Sequence, residues 1–196
     1  MKICIFGADG RTGREVVKSA KAKGYEVTPF SYSDGQDVMD YEAVRGAIAG
    51  CDAVISTLGH IKGSDPLVQT KGISNIVRAM KELGLRRVLS MTGTGARVVG
   101  DKPSLVDRFL NFGVNIVDPD RINDGVEHVK VLQESGVDWT IVRVLKLSKS
   151  DAEVKDYKLT DYGPAELLTS RKKVAKVLVD LLDDKNSYGK LPVISG

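Results

Sequence analysis

The sequence predicts an α/β fold, a doubly wound parallel sheet with helices on both faces. Three observations predict it. Short apolar runs alternate with longer amphipathic segments along all 196 residues. The links are short, so successive strands are joined by crossover helices and run parallel. The first apolar run ends in three spaced glycines, "GADGRTG" at 7–13, followed at once by a helical pattern. Right-handed crossovers make such an alternation doubly wound. No repeat, low-complexity tract or linker interrupts it, so residues 1–196 are expected to form one domain.

The elements follow in order. "KICIFG" (2–7) reads as a buried strand. "RTGREVVKSAKAKG" (11–24) is a helix with Val16, Val17 and Ala20 inward and Gly24 as its stop. "YEVTPFS" (25–31) is a second strand, and Pro29 marks its end or an irregularity. "DYEAVRGAIAG" (40–50) is a short helix capped by Asp40. "CDAVISTLG" (51–59) is a continuous apolar strand. "SDPLVQTKGISNIVRAMKELG" (64–84) has Asp65 to cap, Pro66 at the first helical position and Gly84 past the end. "RRVLSMTG" (86–93) is the next strand, and 94–121 reads as loop with a short helix near 104–112. "NDGVEHVKVLQESG" (123–136) is a helix with Val126, Val129 and Leu132 on one side, and "DWTIVRVL" (138–145) a buried strand. Residues 146–169 lack periodicity. "SRKKVAKVLVDLLDD" (170–184) is the last helix and "KLPVIS" (190–195) a final short strand.

Composition removes several classes of function. A net charge of +3, spread along the chain, gives no basic stripe for nucleic acid. No apolar run reaches the ~18 residues of a membrane helix, and no charged-then-apolar leader precedes the first strand. Cys4 and Cys51 sit in apolar runs and are too few for a disulfide framework. They are expected as reduced, buried thiols of a cytoplasmic protein. His60 and His128 alone offer no histidine-based metal site. The expected partner is a small molecule, and the chain a monomer or a homodimer.

The glycine loop has the right context for a dinucleotide: strand, loop, helix. Gly7 permits the sharp turn, Gly10 lets the backbone approach a pyrophosphate, and Gly13 lets the helix pack on the strand. The helix N-terminus then offers free N–H groups to phosphate. The second strand ends in Ser31, Tyr32 and Ser33 rather than in an acid that would bind a ribose 2′-OH, although Asp34 follows. Arg11, inside the loop, has the fork geometry to hold a 2′-phosphate. The expected cofactor is therefore NADP(H), with NAD(H) left open.

The motifs "GADGRTG", "GCDAVISTLG", "KELGLRRVLSMTG", "HVKVLQESGVDWTIVR" and "SRKKVA" occur in this order. With them the whole chain resembles the atypical short-chain dehydrogenases of the NmrA-like and biliverdin-IXβ/flavin reductase group. The resemblance implies a Rossmann-type domain with a small C-terminal substrate lid. It implies that Gly7, Asp9, Gly10, Arg11, Thr12 and Gly13 form the pyrophosphate loop, with Ser31 and Tyr32 beside it. Asp37 and Val38 would contact adenine at a third strand, and Thr57, Leu58 and Gly59 would end a fourth, beside ribose and phosphates. Thr92 aligns with a serine that ends the fifth strand in many relatives. Lys130 aligns with the lysine of the family's Tyr-x-x-x-Lys pair. Val144 and Leu145 would close over the nicotinamide, and Lys146 stands where the biliverdin and flavin reductases carry a pocket histidine.

There are departures. Val126 occupies the tyrosine position, so the usual phenol acid is missing; Val144 replaces a typical proline and Lys173 a typical aspartate. The standard alcohol dehydrogenase mechanism is thereby excluded, whereas hydride transfer to a flavin, quinone or similar conjugated acceptor is not. Thr92, Thr94, His60, Lys130 and Lys146 are the candidate polar groups near the strand ends. His128, two residues from Lys130, is expected on another helix face and exposed. The cationic start of the last helix, Arg171 to Lys173, is expected to be solvated or to meet an acidic group on a substrate or partner. Two functions stay in play: an NAD(P)H-dependent reductase, and an NmrA-like dinucleotide-sensing protein without turnover.

Overall fold

The computed structural model describes residues 1–196. The first apolar run is β1 (Lys2–Phe6), and the helix behind the glycines is α1 (Arg11–Ala22). β2 (Glu26–Phe30), α2 (Tyr41–Ile48), β3 (Ala53–Ser56), α3 (Val68–Glu82) and β4 (Arg87–Gly93) follow. Two successive helices come next, α4 (Leu105–Val117) and α5 (Pro119–Glu134), and then β5 (Asp138–Val144). The last part holds β6 (Leu147–Ser148), β7 (Lys158–Thr160), β8 (Thr169–Ser170), α6 (Arg171–Asp180) and β9 (Val193–Ser195).

One seven-stranded sheet has the order β2-β1-β3-β4-β5-β9-β7, and β6 and β8 form a separate two-stranded ladder. All neighbours in the large sheet are parallel except β7, which runs antiparallel to β9. Alternate side chains separate two cores, as a strand covered on both faces requires. Ile3, Ile5, Ile55, Leu89 and Val142 pack against α1 and α6. Cys4, Phe6, Val54, Val88, Trp139 and Ile141 pack against α2, α3 and α5. The chain steps from β1 out to β2, then back across to β3 on the other side of β1. The loops leaving β1 and β3 therefore part in opposite directions. They open a crevice at the carboxyl end of the sheet, where open α/β sheets bind ligands.

Several local expectations are corrected. The short helix expected near 104–112 is there but runs on to Val117 as α4, and α5 already begins at Pro119, so 94–121 holds less loop than expected. α3 starts at Val68 rather than near Asp65: the Asp65 carboxylate accepts from the Leu67 N–H at 2.8 Å and closes a turn that contains Pro66. Pro29 lies within β2, opposite Ile5. It is tolerated because β2 is an edge strand, where a missing N–H costs no ladder bond. Asp37 and Val38 lie in a turn before α2, not at a strand, so Thr57 to Gly59 follow the third strand rather than the fourth. Cys4 is buried and Cys51 half-buried, both as free thiols.

Candidate functional site

The crevice begins at the glycine loop. Gly7 turns the chain out of β1 with φ +71°, and a side chain there would stand 3.1 Å from the Thr57 carbonyl and hydroxyl oxygens. A Cβ at Gly13 would lie 2.0 Å from the Gly7 carbonyl oxygen. Only glycine lets α1 start this close to the strand it follows. Gly10 is the N-cap of α1, makes no side-chain cap, and no acid stands in the first turn. The N–H groups of that turn and the positive end of the helix dipole are thus left for an anion. Arg11 opens the helix and is exposed, while Thr12 is buried. Burial holds the Arg171 guanidinium below its ordinary pKa, and the nearby Arg11 adds to this. Arg171 is therefore close enough to Arg11 to feel its charge.

The other strand ends complete the rim. The Asp9 carboxylate accepts from the Ser33 N–H at 3.1 Å and ties the loop to the end of β2. Burial pushes this carboxyl up, but its bonds to Ser33 and the charge of Arg14 outweigh it, so it sits below the usual carboxylate value. Ser31 is buried, with its N–H on the Gln36 side chain at 2.8 Å, and Tyr32 is exposed. The Asp37 carboxylate accepts from the Met39 N–H, and the Val38 side chain lies in the core against Gly72. The Thr57 hydroxyl donates to the Phe6 carbonyl at 2.9 Å and fastens β3 to β1. Leu58 also meets Gly72, and Gly59 is exposed. Val144 packs into the core and its carbonyl accepts from the Thr94 N–H at 3.0 Å; Leu145 is half-buried and Lys146 exposed.

A polar cluster stands at the carboxyl ends of β3 and β4. Asp124, on α5, is 0% exposed. Its carboxylate accepts from the backbone N–H groups of Gln69 and Thr70 (2.9 Å each), from the Thr70 hydroxyl (2.6 Å) and from His60 Nε2 (2.7 Å). Burial raises the Asp124 pKa, and the Thr70 and His60 bonds more than reverse it, leaving a carboxylate. The next residue, Gly125, lies against Thr92: a Cβ there would be 2.8 Å from Thr92 Oγ1. The Thr92 side chain makes no hydrogen bond within the chain. Asp124 thus holds His60 directly, Thr92 lies against the residue that follows Asp124, and His60 keeps an 11% exposed side chain.

Other expected residues fall elsewhere. Lys130 is 55% exposed and ion-paired with Glu127 at 2.6 Å. With Val126 it lines a groove of about 650 Å³ on the flank of α5, shared with Val98, Val99, Tyr162 and Leu191. His128 is not exposed. It is 1% exposed, its Nε2 meets the Ser90 hydroxyl at 2.9 Å, and burial pushes its pKa down to about 4. The cations that open α6 are not free either. Arg171 donates to the Ser148 carbonyl, Lys172 pairs with Asp151 and Lys173 with Glu166. All three hold the 146–169 segment against α6. Asp124 and Arg143 escaped sequence reading. Buried Arg143 bonds Asp101 at 2.6 Å and the Asp161 carbonyl at 2.8 Å, anchoring the loops after β4 and β7.

Residues 34–185 match a family model described as NAD(P)H-binding. The chain belongs to this NAD(P)H-binding family. The protein YwnB of Bacillus subtilis (strain 168), itself uncharacterised, is 29% identical over 160 residues, covering 72% of this chain and 70% of YwnB. A short-chain dehydrogenase/reductase of Veillonella parvula DSM 2008, solved in complex with NADP, superposes with a TM-score of 0.78 at 17% identity, over 100% of this chain and 94% of that one. SP1627 of Streptococcus pneumoniae TIGR4, proposed to be an NADH-flavin reductase, gives a TM-score of 0.77 at 19% identity, over 100% and 99% of the two chains. These structural likenesses establish the NAD(P)-binding Rossmann fold. No helix of this NAD(P)H-binding protein is long and apolar enough to cross a membrane.

Proposed function

We propose that this NAD(P)H-binding protein is a reductase that takes its hydride from NADPH and passes it to a conjugated small-molecule acceptor such as a flavin or a quinone. The observation that carries the reading is the grouping of His60, Asp124 and Thr92 at the crevice that the glycine loop borders. The loop fits a dinucleotide: α1 begins uncapped, and Arg11 opens its first turn. Gly10, Arg11, Thr12 and Gly13 would hold the phosphates, and Thr57 to Gly59 would border the ribose. Bound there, the reduced nicotinamide supplies a hydride.

The protein's own contribution is the proton. The Asp124 carboxylate engages His60 Nε2 and leaves Nδ1 without a hydrogen bond inside the chain. The carboxylate orients the ring through Nε2, as an acid–base pair requires. His60 gives one proton to the reduced acceptor and recovers it from water. Thr92 Oγ1, free of internal partners, donates a hydrogen bond to an acceptor oxygen or to the carboxamide of the cofactor. Arg11 favours NADPH over NADH, because β2 ends without an acid and this guanidinium has no ion-pair partner.

The test is NADPH oxidation with a panel of flavins and quinones. Turnover is expected with wild type, and His60→Gln should lose roughly 10²-fold in kcat with an unchanged NADPH Kd. Tight NADPH binding without turnover on any acceptor would refute the reductase reading. It would support the second reading, a dinucleotide sensor, which Val126 at the tyrosine position and solvent-facing Lys130 favour.

A further inference from the structure

α4 is packed inside out. Leu105, Phe109, Phe112 and Ile116 recur at spacings of four, three and four residues, the spacing of a helix–helix seam. That stripe faces water: Phe109 is 75% and Phe112 64% exposed, and Leu105, Ile116 and Val117 are more than half exposed. The polar side of the helix faces inward. Asp107, 1% exposed, is ion-paired with Arg97, and Asn111 donates to the Thr94 hydroxyl at 3.0 Å. These contacts fix the rotation of the helix, so the apolar stripe is held outward by specific bonds. A chain that merely lacked a core position would have turned it in.

We infer that α4 is the interface of a homodimer, packing antiparallel against α4 of a second copy. Three features choose this occupant. The first is area. Taking about 150–250 Å² for a whole aromatic side chain, the two phenylalanines leave roughly 200–350 Å² in water. With the aliphatic side chains the stripe reaches roughly 600 Å², at the upper limit of what a monomer leaves open and most of the ~800 Å² that each partner of a standard interface buries.

The second is Gly113. It sits in mid-helix beside Phe112, and nothing lies within 4 Å of where its Cβ would be. Glycine weakens a helix interior, and no neighbour in this chain requires it. An antiparallel pair centred between residues 112 and 113 sets Phe112 over Gly113 of the second copy and Phe109 beside its Ile116. The third is charge. Asp118, beyond the end of the stripe, is already paired with Arg121, but Arg108 near its start and Asp120 past its end have no ion-pair partner in their own chain. A two-fold antiparallel pair brings these opposite charges together, and a parallel one would align like with like. A self-complementary patch is what an isologous dimer needs.

The experiment is sedimentation of the full chain across micromolar concentrations, with far-UV circular dichroism as the folding control. Wild type is expected to be a dimer. Phe112→Asp should weaken the dimer by at least about thirtyfold, the threshold of an interface hot spot, with an unchanged spectrum. Gly113→Leu is the second variant: it should raise helix stability in the monomer while weakening the dimer, because it fills the gap that receives Phe112. A monomeric wild type overturns the inference, and so does a dimer that both variants leave intact. A monomer that binds anionic phospholipid vesicles overturns it in favour of a lipid surface. The reductase reading is untouched by any of these outcomes, because turnover is measured separately.

Discussion

Asp124→Asn tests the polar cluster most sharply. The wild-type carboxylate takes four donors between 2.6 and 2.9 Å, from His60, Gln69 and Thr70. An amide replaces one acceptor oxygen by a donor. If the NH2 group faces Thr70, the hydroxyl can turn to accept but the backbone N–H is stranded. If it faces His60, the Gln69 N–H is stranded instead. One stranded buried donor costs about 1–3 kcal/mol, so ~2 kcal/mol is expected. For a chain of this size each kcal/mol moves Tm by about 2–4 °C, which gives a fall of roughly 4–8 °C. The assay is thermal unfolding followed by far-UV circular dichroism, with exposed Asp156→Asn as the control. NADPH oxidation should fall as well, since His60 loses its orienting partner, while the Kd for NADPH stays the same. A Tm within about 1 °C of wild type, less than one stranded donor would cost, would refute the claim that the carboxylate fastens α5 to the start of α3.

Other perturbations follow from the same geometry. His128 titrates near 4 in the folded protein because it is buried, against about 6.5 in an unfolded chain. The unfolded state binds the extra proton between those values, so stability is full above pH 6.5 and falls as the pH drops toward 4, by about 3 kcal/mol in all. His128→Gln should flatten that part of the curve in urea titrations at successive pH values; an unchanged slope would show that another group is responsible. Gly13→Ala sets a methyl 2.0 Å from the Gly7 carbonyl oxygen, and the loop must move. It should cost about 1–3 kcal/mol, as overpacking does, and weaken NADPH binding in fluorescence titration; wild-type affinity would mean that the loop is more pliant than it looks.

Most of the fold was legible because each central strand is an apolar run covered on both faces, and each long helix has punctuated ends. The failures have physical causes. α4 was read too short, as a helix near 104–112, because its apolar stripe is not its buried side: Asp107 and Asn111 face inward, and Gly113 interrupts the pattern. The segment 146–169 carries strands of two or three residues, too short for a period to register. The glycine loop was readable because its residues are contiguous. Asp124 was not, since its partners lie 54 to 64 positions away. The spacing of His128 and Lys130 correctly separated them onto different faces of α5. Which face is buried depended on Ser90, a residue on another strand.

The central claim is that the glycine loop holds a nicotinamide dinucleotide and that Arg11 selects its phosphorylated form. Calorimetric titration of the wild-type chain with NADPH and NADH tests it directly. One NADPH per chain is expected, bound about tenfold more tightly than NADH, the worth of one charge-assisted contact, with the difference lost in Arg11→Ala. Binding of neither dinucleotide would contradict the site, and equal affinity for the two would contradict the role of Arg11.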